Sequence, residues 1–170
     1  FASNEAKFGG GIQGVQSAKL TTTSGFILHN YASVDGGGIH MEKAQHVMDA
    51  TAIRENMAGK SGGGLYIDKR SILHSTANKV VDNMAEAHGG GLYVGQASSL
   101  VDLNTLYEKN VAVSAGGAIF VTDAECAVFT NSPALFKSRT EGDCRKVRHL
   151  RRIGPVELVK VKEKKVPSKP

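Results

Sequence analysis

Two glycine-rich motifs in this sequence match, in residue type and spacing, motifs that bind cofactors or carry catalytic residues in enzymes. Gly9–Gly14 satisfies G-x-G-x-x-G, the fingerprint of a dinucleotide-binding turn. Gly59–Gly63 satisfies G-x-S-x-G, the nucleophile elbow, and His88–Gly91 matches an oxyanion motif. Both enzyme motifs need a helix directly after the glycines. No segment of this sequence has the hydrophobic period of a helix without glycine in it. We therefore expect neither motif to be catalytic.

Metal-ligating residue types are present, but their spacing does not bring them together. Asp49 and Asp102 both fall 13 residues after the first glycine of a cluster, with Ser75 between them. Calcium needs six to eight oxygens close together, so we expect an exposed turn face rather than a metal site. We also expect the histidines to be isolated and solvated, and no cofactor to bind. The six are His29, His40, His46, His74, His88 and His149.

The glycines that make up these motifs belong to an internal repeat of about 27 residues. Asparagine recurs at steps of 26, 26, 27 and 27 residues, at Asn4, Asn30, Asn56, Asn83 and Asn110. A glycine cluster begins in the same phase at Gly9, Gly36, Gly62, Gly89 and Gly116. An apolar or aromatic residue precedes each asparagine by three positions, at Phe1, Ile27, Ile53, Val80 and Tyr107.

After each glycine cluster the pattern alternates with period two, which predicts a short strand. The inward column is predicted as Ile12, Ile39, Leu65, Leu92 and Ile119, followed two residues later by Gly14, Met41, Ile67, Val94 and Val121. The outward column between them is predicted as Gln13, His40, Tyr66, Tyr93 and Phe120. A further apolar column, 11 residues after each first glycine, is predicted as Leu20, Val47, Leu73, Leu100 and Ala127.

A coil of this length cannot bury its apolar face alone, but it can when stacked on copies of itself about 4.8 Å apart. The sequence therefore predicts an all-β fold: a right-handed, single-stranded parallel β-helix with three short strands per coil and about five coils. Glycine permits the sharp turns, and stacked asparagines can hydrogen-bond up the axis. A leucine-rich-repeat solenoid is disfavoured because its spaced leucines are missing.

Charge divides the chain into parts. Residues 1–136 carry 9 Lys+Arg and 12 Asp+Glu, whereas residues 137–170 carry 12 and 4, so the basic pI belongs to the C-terminal part. We therefore expect no nucleic-acid partner. We predict β-helix repeats over 1–132, an irregular cap or loop over 133–156 and a basic, disordered tail over 157–170. Cys126 and Cys144 either form a disulfide or remain two thiols.

The repeated pairs of motifs resemble those of the chlamydial polymorphic outer membrane proteins and related adhesin-like repeats. F-x-x-N is represented by Phe1–Asn4 and by looser copies that end at each later asparagine. G-G-A-[I/L/V] is represented by Gly116–Ile119 and by four Gly-Gly-Gly copies. The resemblance covers about residues 1–130. It implies an outer-membrane or secreted surface segment that binds proteins or glycans of host or neighbouring cells.

We accordingly expect a non-enzymatic structural or adhesive segment of a larger cell-surface or extracellular protein, whose remaining chain stacks on the open ends. The alternative is a polysaccharide-binding or pectate-lyase-like (pectin lyase-like) carbohydrate-active enzyme fragment, and a third is a repeat fragment without activity. The outward residues His40, Tyr66, Tyr93 and Phe120 are the candidate binding residues, for sugar rings or a protein partner. Cross-strand stacking that only stabilises the sheet is the interpretation we favour for them.

Overall fold

The computed structural model describes residues 1–131, and within that range the chain is entirely β with no helix. Nineteen short strands stack in parallel as a solenoid of about five turns, each about 27 residues long. The predicted parallel β-helix is therefore confirmed. Its right-handedness stays a prediction, and the predicted cap and tail lie outside the described residues.

Each full coil contributes one strand to each of four parallel sheets. Sheet I contains β1 (Glu5–Phe8), β5 (Tyr31–Asp35), β9 (Met57–Ala58), β13 (Met84–Ala85) and β17 (Val111–Ala112). Sheet II contains β2 (Ile12–Val15), β6 (Ile39–Glu42), β10 (Leu65–Asp68), β14 (Leu92–Val94) and β18 (Ile119–Val121). Sheet III contains β3 (Lys19–Thr23), β7 (Gln45–Asp49), β11 (Ile72–Thr76), β15 (Ser99–Leu103) and β19 (Cys126–Thr130). Sheet IV contains β4 (Phe26–Leu28), β8 (Ala52–Arg54), β12 (Lys79–Val81) and β16 (Leu106–Glu108).

The coil has four strands rather than the predicted three, because the segment around each asparagine is divided in two. The strand before the asparagine belongs to sheet IV and the strand after it to sheet I. The residue directly before each asparagine has a left-handed backbone, as at His29 (φ 52°) and Glu55 (φ 54°), and this bends the chain sharply at the corner.

The asparagines lie one above another at the corner between sheets IV and I and are joined by hydrogen bonds. Each side-chain Nδ2 donates to the Oδ1 of the next asparagine, at 2.9 Å in the first three steps and 3.0 Å in the last. The same Oδ1 accepts the backbone N–H of the asparagine below it, at 3.0–3.1 Å. One side chain per coil thus satisfies a backbone donor that the bend would leave unpaired.

The glycine clusters form the turn between sheets I and II, where the backbone conformation and the closeness of the next coil require glycine. The first glycine of each cluster has a positive φ between 62° and 71°. At the third position the next coil is too close for a side chain: a Cβ on Gly64 would lie 2.6 Å from the carbonyl oxygen of Gly91 and 3.2 Å from the Asn83 amide. The fifth copy has Ala118 at this position.

The predicted inward columns of sheet II form the centre of the core. Ile39, Leu65, Leu92 and Ile119 pair in register and are at most 1% exposed, and Met41, Ile67, Val94 and Val121 form the column beside them. The apolar residues before the asparagines pair in the same way across sheet IV. The interior is therefore a set of aliphatic columns parallel to the axis, one layer per coil.

One column of sheet III differs from the prediction. The turn between β6 and β7 contains two residues, 43–44, whereas those between β2 and β3 and between β10 and β11 contain three. The shorter turn shifts the register of β7 by one residue, so that His46 rather than Val47 pairs with Leu20 and Leu73. His46 is 1% exposed, whereas Val47 points outward and is 52% exposed.

Replacement of Asn56 by alanine tests how much the asparagine stack contributes to stability. Asn56 makes four hydrogen bonds through its side chain: to Ile27 O, to Asn83 Oδ1, and from both the backbone and the side chain of Asn30. Because these partners are buried, Asn56→Ala should lower the free energy of unfolding by on the order of 3 kcal/mol in a denaturant titration.

The matched control is Asn4→Ala, in the exposed first coil, which removes a single side-chain bond to Asn30. This variant should lower the free energy of unfolding by less than about 1 kcal/mol, because water can replace that bond. Equal losses for the two variants would contradict a stabilising role for the buried stack.

Candidate functional site

The candidate binding residues form a continuous stack of rings on the outer face of sheet II, which we call the aromatic ladder. His40, Tyr66, Tyr93 and Phe120 pair in register across four consecutive coils. Successive ring centroids are 5.0, 4.8 and 5.6 Å apart, with interplanar angles of 4°, 6° and 16°. The spacing follows from the distance between coils, since a parallel register places the same position of each coil directly above that of the previous coil.

The ring faces are occupied by this stacking, which limits what the ladder can recognise. Each inner ring has a neighbouring ring on both sides, and Phe8 and His88 pack against the end rings, at 5.1 Å from His40 and 4.6 Å from Phe120. A sugar therefore cannot stack on the faces of Tyr66 or Tyr93. The ladder presents ring edges and two tyrosine hydroxyls instead. The stacking of its rings across the strands is of the kind that stabilises a sheet.

Carboxylates flank the ladder on both sides. On the side of sheet I, Asp35 is 7% exposed and its Oδ1 accepts the backbone N–H of Ser61 at 3.0 Å. On the other side, Glu42 and Asp68 pair in register at the ends of β6 and β10. The Tyr66 hydroxyl donates to Asp68 Oδ2 at 3.0 Å, and Lys69 Nζ lies 2.7 Å from Glu42 Oε1. The charge of Asp123, three residues after Phe120, acts on the Tyr93 hydroxyl. We call the ladder together with Asp35, Glu42, Asp68 and Asp123 the ladder face.

Burial and these carboxylates set the protonation of the ladder. Burial, and then the negative charges of Asp68 and Asp35, raise the pKa of the Tyr66 hydroxyl above its ordinary value. Burial and the charges of Asp68, Asp35 and Asp123 raise the pKa of the Tyr93 hydroxyl as well. Burial also raises the pKa of Asp35, while the Ser61 N–H opposes that effect. Both tyrosines therefore keep their protons at neutral pH and can donate hydrogen bonds.

His40 is not a solvated residue as the sequence suggested. Its side chain is 2% exposed and stacks on Tyr66, and neither ring nitrogen has a hydrogen-bond partner among residues 1–131. Its Nε2 lies 3.7 Å from Glu42 Oε1. Burial lowers the pKa of His40, although the nearby Glu42 charge acts in the opposite direction. Asp68 Oδ1, in the same face, is also buried without a hydrogen-bond partner in the described part of the chain.

The two glycine motifs do not form catalytic sites in this fold. Gly9–Gly14 runs from a turn into strand β2, so no helix follows the glycines. Ser61 of the G-x-S-x-G motif is 4% exposed and forms a parallel β-bridge with His88 of the next coil. Both motifs are copies of the same turn between sheets I and II, where glycine is required by the backbone.

A buried polar cluster in the core was missed by the sequence reasoning. Asp102 is fully buried in β15, where its Oδ1 accepts from the Thr105 hydroxyl and its Oδ2 accepts from the Tyr107 hydroxyl at 2.8 Å. Burial, followed by the Asp102 charge, raises the pKa of Tyr107 well above its ordinary value. The predicted exposed turn face is therefore wrong for Asp102. Asp49 points outward and pairs with Thr76, because the register shift in β7 places Met48 in the Asp102 column.

The remaining predicted site residues serve the fold or lie outside the described range. Cys126 begins β19 and is half-buried, whereas Cys144 lies outside the described residues, so their pairing stays a prediction. Among residues 1–131, no three His, Cys, Asp or Glu side chains are grouped so that they could hold a metal ion. The same part of the chain contains no helix of the length and hydropathy needed to span a membrane.

Comparisons of the chain with protein-family models, with curated proteins and with solved structures find no match in any of the three.

His46 provides a test of the register shift through the pH dependence of stability. Burial lowers the pKa of His46 from 6.5 to about 4, and its one hydrogen-bond partner is the Thr22 hydroxyl at 3.1 Å from Nε2. Between these two pH values the unfolded chain binds the proton more strongly. Acidification from pH 6.5 to 4 should therefore destabilise the native chain by up to about 1.4 kcal/mol per pH unit through this group.

His46→Leu completes the Leu20, Leu73 and Leu100 column and should remove this contribution, which denaturant titrations at pH 7 and pH 4.5 would measure. The pH dependence that remains includes that of His40, whose pKa is also lowered. His74→Leu, on the exposed side of the same sheet, is the control for the replacement of a histidine by leucine. A His46→Leu variant with the wild-type pH dependence would show that His46 is not buried as a neutral residue.

Proposed function

We propose that this chain is a non-enzymatic adhesive segment of a larger cell-surface or secreted protein and that it binds its partner through the ladder face. The observation that carries the proposal is the alignment of His40, Tyr66, Tyr93 and Phe120 with carboxylates on both sides. The result is one polar, aromatic line along the rod. Tyrosine combines a large rigid surface with a hydrogen-bonding group, which suits it to recognition.

The proposed contacts use hydroxyl and carboxylate groups rather than ring faces. The Tyr66 and Tyr93 rings are half-exposed and stacked on both sides, so their free parts are the edges and the hydroxyls. Host-cell or neighbouring-cell proteins and glycans both offer partners for such groups. Since the ladder extends over four coils, a partner that follows it would contact roughly 14 Å of the rod, on the usual spacing between strands.

A carbohydrate-active enzyme is the second candidate, and one observation favours it. Asp35 and Asp68 lie on opposite sides of Tyr66, and the charges of both act on its hydroxyl. Paired carboxylates are the usual catalytic groups in glycoside hydrolysis. Release of reducing ends or unsaturated sugars from a panel of polysaccharides would favour this function, and binding without turnover would favour adhesion.

The adhesive proposal predicts that binding depends on the two ladder hydroxyls. The fluorescently labelled full chain would be tested on intact animal and bacterial cells and on a glycan array. Tyr66→Phe/Tyr93→Phe keeps the stacked rings but removes both hydroxyls, and it should reduce binding at least tenfold, about 1.4 kcal/mol or more. Because the rings remain, a thermal melt should confirm that the variant is folded.

Tyr31→Phe is the matched control, since Tyr31 is a half-buried tyrosine on the outer side of sheet I. It should bind as the wild type does. The proposal fails if the full chain binds none of these surfaces, or if the double variant binds them as well as the wild type and the control.

A further inference from the structure

We infer that the partner of the ladder face is a lysine-rich polypeptide segment in extended conformation, whose ammonium groups are held by Asp35, Asp68 and Asp123. This inference rests on the proposed function and specifies its partner. It follows from the charges around the two central tyrosines, from buried polar atoms without partners in the same face, and from the spacing of the carboxylates along the rod.

The charges that act on the centre of the ladder are all negative. Asp68 and Asp35 act on the Tyr66 hydroxyl, and Asp68, Asp35 and Asp123 act on that of Tyr93. Lysines lie only at the edges of the face, where Lys69 is paired with Glu42 at 2.7 Å and Lys60 acts on Asp35. Within residues 1–131, none of Asp35, Asp68 and Asp123 is in an ion pair closer than 4.0 Å.

Unsatisfied polar atoms inside the face are an independent indication of a ligand. His40 is 2% exposed with both ring nitrogens unpartnered, and its Nε2 is directed at Glu42 Oε1. Asp68 Oδ1 is likewise buried and unpartnered, beside Tyr93 and above Gly95, where a Cβ would lie 2.5 Å from it. Buried polar groups normally have partners. Asp68 Oδ1 and the unprotonated ring nitrogen of His40 are acceptors, so a second molecule that completes them must supply donors.

The chemistry of the free groups favours an ammonium donor over a sugar or a guanidinium. A lysine ammonium is a compact cation with three donors and needs only oxygen acceptors. Carboxylates and tyrosine hydroxyls supply such acceptors here. A guanidinium also pairs with carboxylates, but the additional stacking on a ring face that it shares with a pyranose is not available here, because the faces of Tyr66 and Tyr93 are occupied by their neighbours.

The spacing of the carboxylates fits an extended polypeptide. Asp35, Asp68 and Asp123 belong to the second, third and fifth coils, so the outer two are three coil steps, or about 14 Å, apart. In an extended strand, side chains at i, i+2 and i+4 share one face and span roughly 13 Å. Lysines at alternate positions would therefore span the same length of the ladder face as these carboxylates. The chain itself contains one such series, Lys160, Lys162 and Lys164, which provides a natural probe sequence.

The test is the affinity of the full chain for a fluorescein-labelled peptide with the sequence of residues 157–170, measured by anisotropy. The control peptide has glutamine in place of Lys160, Lys162 and Lys164. We expect the lysine peptide to bind at least tenfold more tightly than the control, and its affinity to fall steeply between 0.05 and 0.5 M salt, with both effects arising from ammonium–carboxylate pairing.

Asp35→Asn/Asp68→Asn should weaken binding of the lysine peptide at least tenfold. The asparagines keep an oxygen acceptor for the Ser61 N–H and the Tyr66 hydroxyl, so the variant is expected to fold, which a thermal melt would verify. Glu86→Gln/Glu108→Gln removes the same charge from exposed positions outside the ladder face and should change the affinity less than twofold.

A full-chain variant with Lys160→Gln, Lys162→Gln and Lys164→Gln shows whether the chain's own lysines compete with the peptide. Tighter peptide binding by this variant than by the wild type supports recognition of the lysine series by the face. The inference is overturned if neither chain binds the peptide, or if the ladder-face and control variants bind it equally. Binding to cells or glycans through Tyr66 and Tyr93 without peptide binding would leave the proposed function intact and remove only this inference.

Discussion

The structure depends on the close, in-register approach of successive coils, which the asparagine hydrogen bonds enforce once per turn. Each asparagine accepts and donates along the axis, so a coil displaced by one residue would lose both bonds and leave a backbone N–H unpaired at the bend. The glycine turns allow the approach, because the third glycine of a coil faces a carbonyl oxygen of the next at a distance that excludes a side chain. Aliphatic burial then supplies the main stabilisation, in columns whose positions these two contacts determine.

The ladder face follows from the same constraint. Parallel pairing in exact register places like residues above one another, so an outward aromatic in each coil becomes a stack rather than a scatter of exposed rings. The ring faces are covered by neighbouring rings in the stack. The ring edges, the hydroxyls and the flanking carboxylates remain available for contacts. Under the proposed function, a partner would therefore have to offer polar groups at intervals related to the coil spacing.

Much of this architecture could be predicted from sequence, because the strongest signals are those that every coil must repeat. Each layer requires the asparagine, the glycine cluster and the alternation after it. Their constant spacing therefore predicts the length of the coil, the inward columns and the outward ladder. The fourth strand could not be predicted, since its corner is a left-handed residue that is not glycine, as at His29, Glu55 and Asp82. His46 was missed because the register of sheet III depends on a turn shortened by a single residue. Asp102 pairs with Ser75, as the phase of the repeat implies, but its burial was missed because its partners Thr105 and Tyr107 belong to other columns.

Buried polar groups in the core are for the most part hydrogen-bonded, with His46 Nδ1 as an exception within residues 1–131. In the core, both oxygens of Asp102 accept from hydroxyls, and the buried amide of Asn78 is bonded to the Thr51 N–H, the Ser75 hydroxyl and the Met48 carbonyl. In the ladder face, His40 and Asp68 retain buried atoms without partners. Orphaned polar atoms destabilise a fold, and an aliphatic or aromatic rung in place of His40 would have continued the stack without them. Three of the four such atoms within residues 1–131 lie in the ladder face, and this concentration supports the proposal that a second molecule binds there.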